Sequence, residues 1–370
     1  MRDKSRTSKR SGRAGTRRAE HAKVFAPNPF AALLPTVRRD VDARLLSFLD
    51  TKVAEIEPLG EDVTALARAI RDLAARGGKR LRPALLATGF RAATRRLPFD
   101  LALEAGVAVE LLHCYLLIHD DWMDRDVVRR GAPSVHARFE RRYRSAHRGH
   151  AAAVLAGDYA IALATEALAR LDVPARRWNA VLTCFARMQL DAIAGQQLDL
   201  IGRASNVERV YELKTASYTV SGPLELGAVL GGASSELREA LRRYAKPAGV
   251  AFQLRDDLLS VFGDPARTGK PFAADLKAGK KTLLVVAGMK KARGKELKAL
   301  RAVFGDSNAE RAALERAAKV LETCGAAAAV ETRIQTLIAE ATSTLESAPL
   351  TAEGRGLLAG ALQSLTSRAR

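Results

Sequence analysis

Three observations make the 370-residue sequence an all-α protein. Ala, Leu and Arg dominate, while aromatic residues reach only 5% and Gly and Pro are not enriched, a composition of helix formers rather than strand formers. Apolar residues recur at helical intervals over long segments. No stretch of useful length alternates apolar and polar residues with the period of two that a half-buried strand requires.

The elements follow in order. Residues 1–29 are expected to be a tail outside the folded body, which occupies 30–370. Within residues 1–23, nine Lys or Arg face only Asp3 and Glu20, so this segment carries +7 of the formal net charge of +19 and leaves +12 on the body. Rich in Ser, Thr and Gly and poor in large apolar residues, the tail cannot bury enough surface to fold, so disorder is expected, and its charge suits contact with an anionic membrane surface. It lacks the apolar stretch of a secretory signal, although an Arg-rich, acid-poor segment is also what an organelle transit peptide looks like.

Pro27 and Pro29 punctuate the entry to a first helix over 34–56, closed by Pro58 and Gly60. A second runs over 63–75 and ends in the loop Arg76-Gly77-Gly78-Lys79-Arg80-Leu81-Arg82-Pro83, where Pro83 suits the first turn of the next helix. Further helical periodicity covers 85–90, 101–122, 151–171, 175–201, 207–230 and 235–262. Gly222-Pro223, and Gly263 with Pro265, predict a kink or an end in the last two. The charged 290–298 and the Ala-rich 312–341 predict a helical hairpin on the surface.

Composition also excludes several functions. Cys114, Cys184 and Cys324 are odd in number and form no CxxC pair, which argues against a disulfide framework or a zinc site and for a reducing, cytoplasmic setting. No run of some eighteen uninterrupted apolar residues is present to span a bilayer. The high charge alone does not make a specific nucleic-acid binder, because basic residues are not interleaved with aromatics and no recognition motif occurs.

The chemistry concentrates in two acidic clusters. Asp120-Asp121-Trp122-Met123-Asp124 ends the apolar helix that begins near residue 101. At about 100° per residue, positions 120, 121 and 124 share roughly one 100° arc, so three carboxylates point the same way. They repel one another and resist desolvation, so they require cations, and clustered carboxylates suit a hard divalent ion such as Mg²⁺. The second cluster, Asp256-Asp257-Leu258-Leu259-Ser260, repeats the pattern with serine in its third acidic position. Basic residues surround both: Lys79 and Arg82 at the Gly-Gly loop, Arg129-Arg130-Gly131 after the first cluster, Lys214-Thr215 mid-chain, and Lys270 and Lys280 after the second. Arginine forks, lysine point charges and Mg²⁺ together are what a diphosphate requires. His113 lies two turns before Asp120 on a similar face, with Glu110 one turn earlier.

Taken with Gly157-Asp158, Gly195-Gln196-Gln197-Leu198-Asp199 and Phe252-Gln253, this ordered set resembles the trans-isoprenyl diphosphate synthase (polyprenyl synthetase) family over nearly everything after residue 30. Among its members it most resembles the geranylgeranyl diphosphate synthases. The resemblance implies an isoprenoid synthase type I helical bundle around a deep central cavity, with the two acidic clusters facing each other across its mouth. It implies a head-to-tail condensation of isopentenyl diphosphate with an allylic diphosphate, a homodimer, and three Mg²⁺ ions per site on Asp120, Asp124 and Asp256. Asp121 and Asp257 would support these, and Lys214 would complete the catalytic set. Lys79, Arg82, His113 and Arg130 would hold isopentenyl diphosphate. Arg129, Lys214, Thr215, Gln253, Lys270 and Lys280 would contact the allylic diphosphate. Ser260 departs from the family's usual third aspartate. A class I terpene cyclase would not need Lys79, Arg82 and His113, and a non-catalytic synthase subunit would not need an intact first cluster.

In this family the residues five and four before the first cluster act as a cavity floor, here Tyr115 and Leu116. A bulky Tyr115 beside the smaller Leu116, with no insertion between Asp121 and Asp124, resembles the pattern of C20 synthases. If Tyr115 is ordinary helix packing instead, the product length stays open.

Overall fold

The structure, a computed structural model, describes residues 28–201, 207–264 and 272–367. The basic tail up to residue 27 and Lys270 lie outside the described residues. Among those described the chain is helical, apart from a hairpin pairing Val128–Arg129 with Ala132–Pro133.

Helix α1 (Pro29–Ile56) begins five residues before the predicted start, because Asn28 caps it: its Oδ1 accepts from the Ala31 N–H at 3.0 Å, and Pro29 occupies the first position. The Asn28 side-chain amide also donates to the Gly360 carbonyl at 3.0 Å, tying the start of the body to its last helix. Pro35 sits within the helix. After a turn at Glu57–Leu59 come α2 (Glu61–Ala75), α3 (Leu81–Ala93) and α4 (Asp100–Met123). The hairpin leads into α5 (Val135–Tyr143), then α6 (Ala146–Ala169) and α7 (Ala175–Ile201).

The next segment departs most from expectation. Residues 207–230 form one continuous helix in three registers: α8 (Val207–Val210), a π-helical stretch (Tyr211–Ser221) and α9 (Gly222–Leu230). Gly222-Pro223 therefore does not break the helix. The Gly222 N–H still bonds five residues back to Ser217, and Pro223, which has no N–H to give, falls where the wider register changes to the α register. The prediction at Gly263 holds: α10 (Ser235–Phe262) ends there, with Gly263 as its cap.

Six helices complete the described chain: α11 (Ala274–Lys277), α12 (Leu283–Lys291), α13 (Gly294–Val303), α14 (Arg311–Thr323), α15 (Ala326–Ser347) and, at the end, α16 (Ala352–Thr366). The expected surface hairpin is corrected here. Ala317, Leu321, Ile334 and Leu337 pack with Leu258 of α10 and Leu284 of α12 into a buried core of their own, because alanine-rich faces let helices approach closely and still bury apolar surface.

Two other clusters complete the interior. One joins α4, α6 and α7 through Leu111, Leu112, Ala156 and Phe185. The other joins α1, α3, α10 and α16 through Phe30, Leu85, Tyr244 and Leu358. Helices α4 and α6 are long and apolar enough to cross a membrane by composition, but the apolar window of α4 is 72% buried inside the protein. The π-helical stretch lies at the junction of the helices. A Cβ on Gly195 of α7 would sit 2.2 Å from the Lys214 nitrogen, and one on Gly249 of α10 would sit 2.4 Å from the Ala216 Cβ. Only glycine allows these helices so close, and their closeness brings Lys214 and Thr215 to the ends of α4 and α10.

Candidate active site

The first acidic cluster occupies the last turn of α4, with Asp124 as its cap. Carboxylates at a helix C-terminus face the negative end of the dipole, so their placement is unfavourable without cations. The protein supplies three. Lys214 Nζ lies 3.2 Å from Asp120 and 2.6 Å from Asp199. Lys280 Nζ lies 2.9 Å from Asp124. Arg129 Nε donates to Asp121 at 2.6 Å. Burial alone would lower the Lys214 and Lys280 ammonium groups, yet Asp120 and Asp199 hold the first, and Asp124 the second, above the ordinary lysine range.

These carboxylates play unequal parts. Asp121 is buried, and burial pushes its carboxyl up to about 6 despite Arg129. Arg129, expected at the allylic diphosphate, bonds Asp121 here, with Asp126 also 3.4 Å away. Its hairpin is built for this. Arg130 and Gly131 both take positive φ, 53° and 74°, and form the two-residue turn, while Arg76 Nη1 donates to the Arg129 and Pro133 carbonyls at 3.1 and 3.0 Å. Arg130 in turn donates to the Gly77 carbonyl, joining the hairpin to the Gly-Gly loop.

On α10, Asp257 is buried and accepts from the Tyr211 hydroxyl and from Gln253 Nε2 at 2.7 Å. Gln253 Oε1 accepts from Thr215 Oγ1 at 2.8 Å, so the π-helical stretch and α10 share one hydrogen-bonded chain. Burial, with the nearby Asp275 charge adding to it, pushes Asp257 up to about 8. Asp256 beside it is only half-buried. Ser260 is buried and accepts from the Asp275 N–H at 3.3 Å, so its hydroxyl anchors α11 where the family's usual residue is a carboxylate.

The basic loop is positioned by a buried ion pair. Arg80 reaches Glu110, each side chain 2% exposed, and Asp42 at 2.6 Å. Glu110 is therefore an anchor for the loop. Lys79 is exposed on that loop. Arg82 Nη2 donates to Thr219 Oγ1 at 2.8 Å, and its guanidinium carbon lies 4.4 Å above the Tyr218 ring. His113 faces the same ring at 6.1 Å. Burial and then the Arg82, Arg130, Arg80 and Arg129 charges hold its imidazole well below the ordinary range, so it is neutral. Arg82 Nε and His113 Nδ1 are buried without a hydrogen-bond partner. Two buried nitrogens left unsatisfied among several arginines suit an anion.

The acidic clusters fit a hard divalent cation. Asp120 Oδ1 is buried and accepts no hydrogen bond, since Lys214 approaches it off line. Among the described residues no three acidic, His or Cys side chains could hold an ion by themselves. Ions shared among Asp120, Asp124 and Asp256 would complete their shells with water and diphosphate oxygens, as Mg²⁺ commonly does.

Beneath Asp120 and Lys214 lies a mainly apolar cavity of about 230 Å³, lined by Tyr115, Leu116, Met123, Ile193 and Tyr218 among others. Gln196 Nε2, also at this cavity, is buried without a partner. Tyr218 and Asp275 were not singled out from the sequence, and Gln196 and Arg76 stood there only within quoted motifs, without a role. Tyr218, four residues after Lys214 in the same helix, carried the one available signal.

Comparison with known proteins gives the family. The polyprenyl synthetase family model matches residues 63–321. The chain is 34% identical over 286 residues to the geranylgeranyl diphosphate synthase of Methanosarcina mazei, covering 75% of this chain and 82% of that one. It is 32% identical over 318 residues to the geranylfarnesyl diphosphate synthase of Aeropyrum pernix, covering 80% and 91%. The crystal structure of geranylgeranyl pyrophosphate synthase from Corynebacterium glutamicum, complexed with isoprenyl diphosphate and magnesium, superposes with a TM-score of 0.85 at 32% identity, covering 91% of this chain and 99% of that one. Such synthases share the helical type I isoprenoid fold. An all-helical body with carboxylates and lysines gathered over an apolar cavity, and these likenesses across most of the chain, identify it as a member of the polyprenyl synthetase family, a prenyltransferase of the chain-elongating trans type.

Proposed function

We propose that this protein condenses isopentenyl diphosphate with dimethylallyl, geranyl or farnesyl diphosphate to yield geranylgeranyl diphosphate (C20), with residues 30–370 as its catalytic domain. It would use three Mg²⁺ ions per site, on Asp120, Asp124 and Asp256. The observation that carries this reading is the cavity that Asp120 and Lys214 line together with Tyr115 and Leu116, the last two taken as its floor.

Bound Mg²⁺ supplies Lewis-acid neutralisation of the leaving diphosphate. Lys214 and Lys280, already drawn to Asp120 and Asp124, add fixed positive charge where the allylic C–O bond breaks. Thr215 and Gln253 stand beside Lys214 to contact the same diphosphate, and Lys270 is assigned with them. Lys79, Arg82, His113 and Arg130 hold isopentenyl diphosphate so that its alkene meets the allylic cation. Arg129 belongs to the same allylic-diphosphate set and also bonds Asp121. The proton lost afterwards goes to the released diphosphate, since no side chain among these residues is an evident base. The apolar walls exclude water that would quench the cation.

A homodimer is part of the same proposal. Leu155 of α6 and Leu182 and Leu190 of α7 are exposed, large apolar side chains of the kind an interface covers. The cytoplasm is assigned on the three free cysteines, none of them paired.

Purified protein incubated with Mg²⁺, labelled isopentenyl diphosphate and each allylic diphosphate in turn is expected to give a C20 alcohol after dephosphorylation. That product should disappear with EDTA and in Asp120→Ala. A dominant product of another length would remove the C20 assignment, and no incorporation with any starter would overturn the reaction.

A further inference from the structure

We propose that His119 and Gly157 set the depth of the product cavity together with Tyr115, so that a residue of α6, outside the cavity, helps to determine chain length. This rests on the reading that the cavity receives the growing prenyl chain.

Tyr115, His119 and Met123 recur every four residues on α4 and all line the cavity, one above the next. Tyr115 and His119 meet edge to face, with ring centroids 4.9 Å apart and planes at 68°. The imidazole is fastened from behind: Nε2 lies 3.1 Å from the Val154 carbonyl of α6, which can only accept, so Nε2 carries the proton.

The ring reaches that carbonyl because residue 157 is glycine. A Cβ there would lie 2.2 Å from Nε2 and 2.4 Å from Cδ2, distances at which no side chain and ring can coexist. Gly157 is buried and helical, without positive φ, so its reason for being glycine is the imidazole and not its backbone. The α6 backbone closes the ring's retreat on one side, and the open side is the cavity. Position 157 therefore governs whether the imidazole lies back against α6 or stands forward in the path of the chain. His119 in turn supports Tyr115 from one side of its ring.

The test is product length in four proteins with one starter: wild type, His119→Ala, Gly157→Ala and the double variant. Gly157→Ala is expected to push the imidazole forward and shorten the dominant product by one five-carbon unit. His119→Ala is expected to lengthen it by one unit, because the ring and its support of Tyr115 are gone. The double variant should match His119→Ala, since a methyl group at 157 then fills space the ring has left. An unchanged distribution in His119→Ala overturns the proposal, as does a shortening by Gly157→Ala that persists without His119. If Gly157→Ala does not fold, His119→Ala and the double variant decide alone. A wild-type product other than C20 removes only the length assigned above, because the proposal concerns the direction of change from whatever length the wild type makes.

Discussion

Lys280 Nζ donates to Asp124 Oδ2 at 2.9 Å across 156 positions of sequence, joining the segment after the second acidic cluster to the end of the first. Asp124 caps α4 at the negative end of its dipole, so the ammonium group offsets a charge the helix disfavours. The same group stands where a leaving diphosphate would gather negative charge. Lys280→Ala is expected to lower kcat by about a hundredfold, the scale of losing one preorganised donor to developing charge. Steady-state kinetics with saturating Mg²⁺ checks this, and a loss confined to KM would mean that Lys280 serves binding only.

The Arg80–Glu110 pair is buried at both ends. Removing one partner strands a charge in the interior, which costs about 3–5 kcal/mol in such sites. Glu110→Leu should therefore lower the urea midpoint steeply, although Asp42 still reaches Arg80 at 2.6 Å. Arg80→Leu in the same protein should recover part of the loss, because apolar replacement of both partners removes the stranded charge. A double variant no more stable than Glu110→Leu would contradict this account. Since Arg80 shapes the loop that bears Lys79 and Arg82, the KM for isopentenyl diphosphate should rise in both.

Helices whose signal is local were legible in the sequence, and those whose reason lies elsewhere in the fold were not. The long apolar runs of α7 and α10 could be read to their ends because their polar boundaries are their own. The short α5 was missed: Val135 and Phe139 are its main apolar stripe among arginines, too little periodicity to read in nine residues. The Ala-rich α14 and α15 were read as surface because alanine says little about which face is buried until a partner helix is known. In the site, charged clusters announced Asp120, Lys214 and Asp257. Glu110 was noticed but its task was not, since only the fold brings Arg80 against it. Tyr218 and His119 carry no charge pattern, and their meaning comes from rings that meet across helices.

His113 gives a pH dependence with a definite sign. Burial first, then the surrounding arginines, hold its folded pKa well below the ordinary imidazole value of about 6.5. The unfolded chain then binds more protons in the window between that depressed value and about 6.5, so stability rises with pH through the window and is lost as pH falls through it. Each pH unit within the window is worth up to about 1.4 kcal/mol. Between pH 7 and pH 5 the melting temperature should drop more, or rise less, in the wild type than in His113→Phe, since the raised carboxyls of Asp257 and Asp121 act with the opposite sign in both proteins. Equal slopes would mean that His113 is charged in the folded protein.

Gly195 controls the position of Lys214 through the backbone. A Cβ at 195 would lie 2.2 Å from the Lys214 nitrogen, 2.6 Å from its Cα and 2.7 Å from the Leu213 carbonyl carbon. All three are main-chain atoms, so no side-chain rotation relieves the clash and α7 must part from the π-helical stretch. Overpacking of this kind costs about 1–3 kcal/mol. Its larger effect falls on chemistry, because Asp199 sits on the same α7 and grips Lys214 at 2.6 Å, so both the ammonium group and its orienting partner move. A displacement of about 1 Å at a catalytic group can cost about a hundredfold in rate. Gly195→Ala is therefore expected to lose activity on the scale of Lys214→Ala while keeping a cooperative melt. The decisive comparison is the double variant. If Gly195 acts through Lys214, the double variant is no slower than Lys214→Ala alone, whereas multiplied losses would show that α7 and the π-helical stretch serve catalysis by another route.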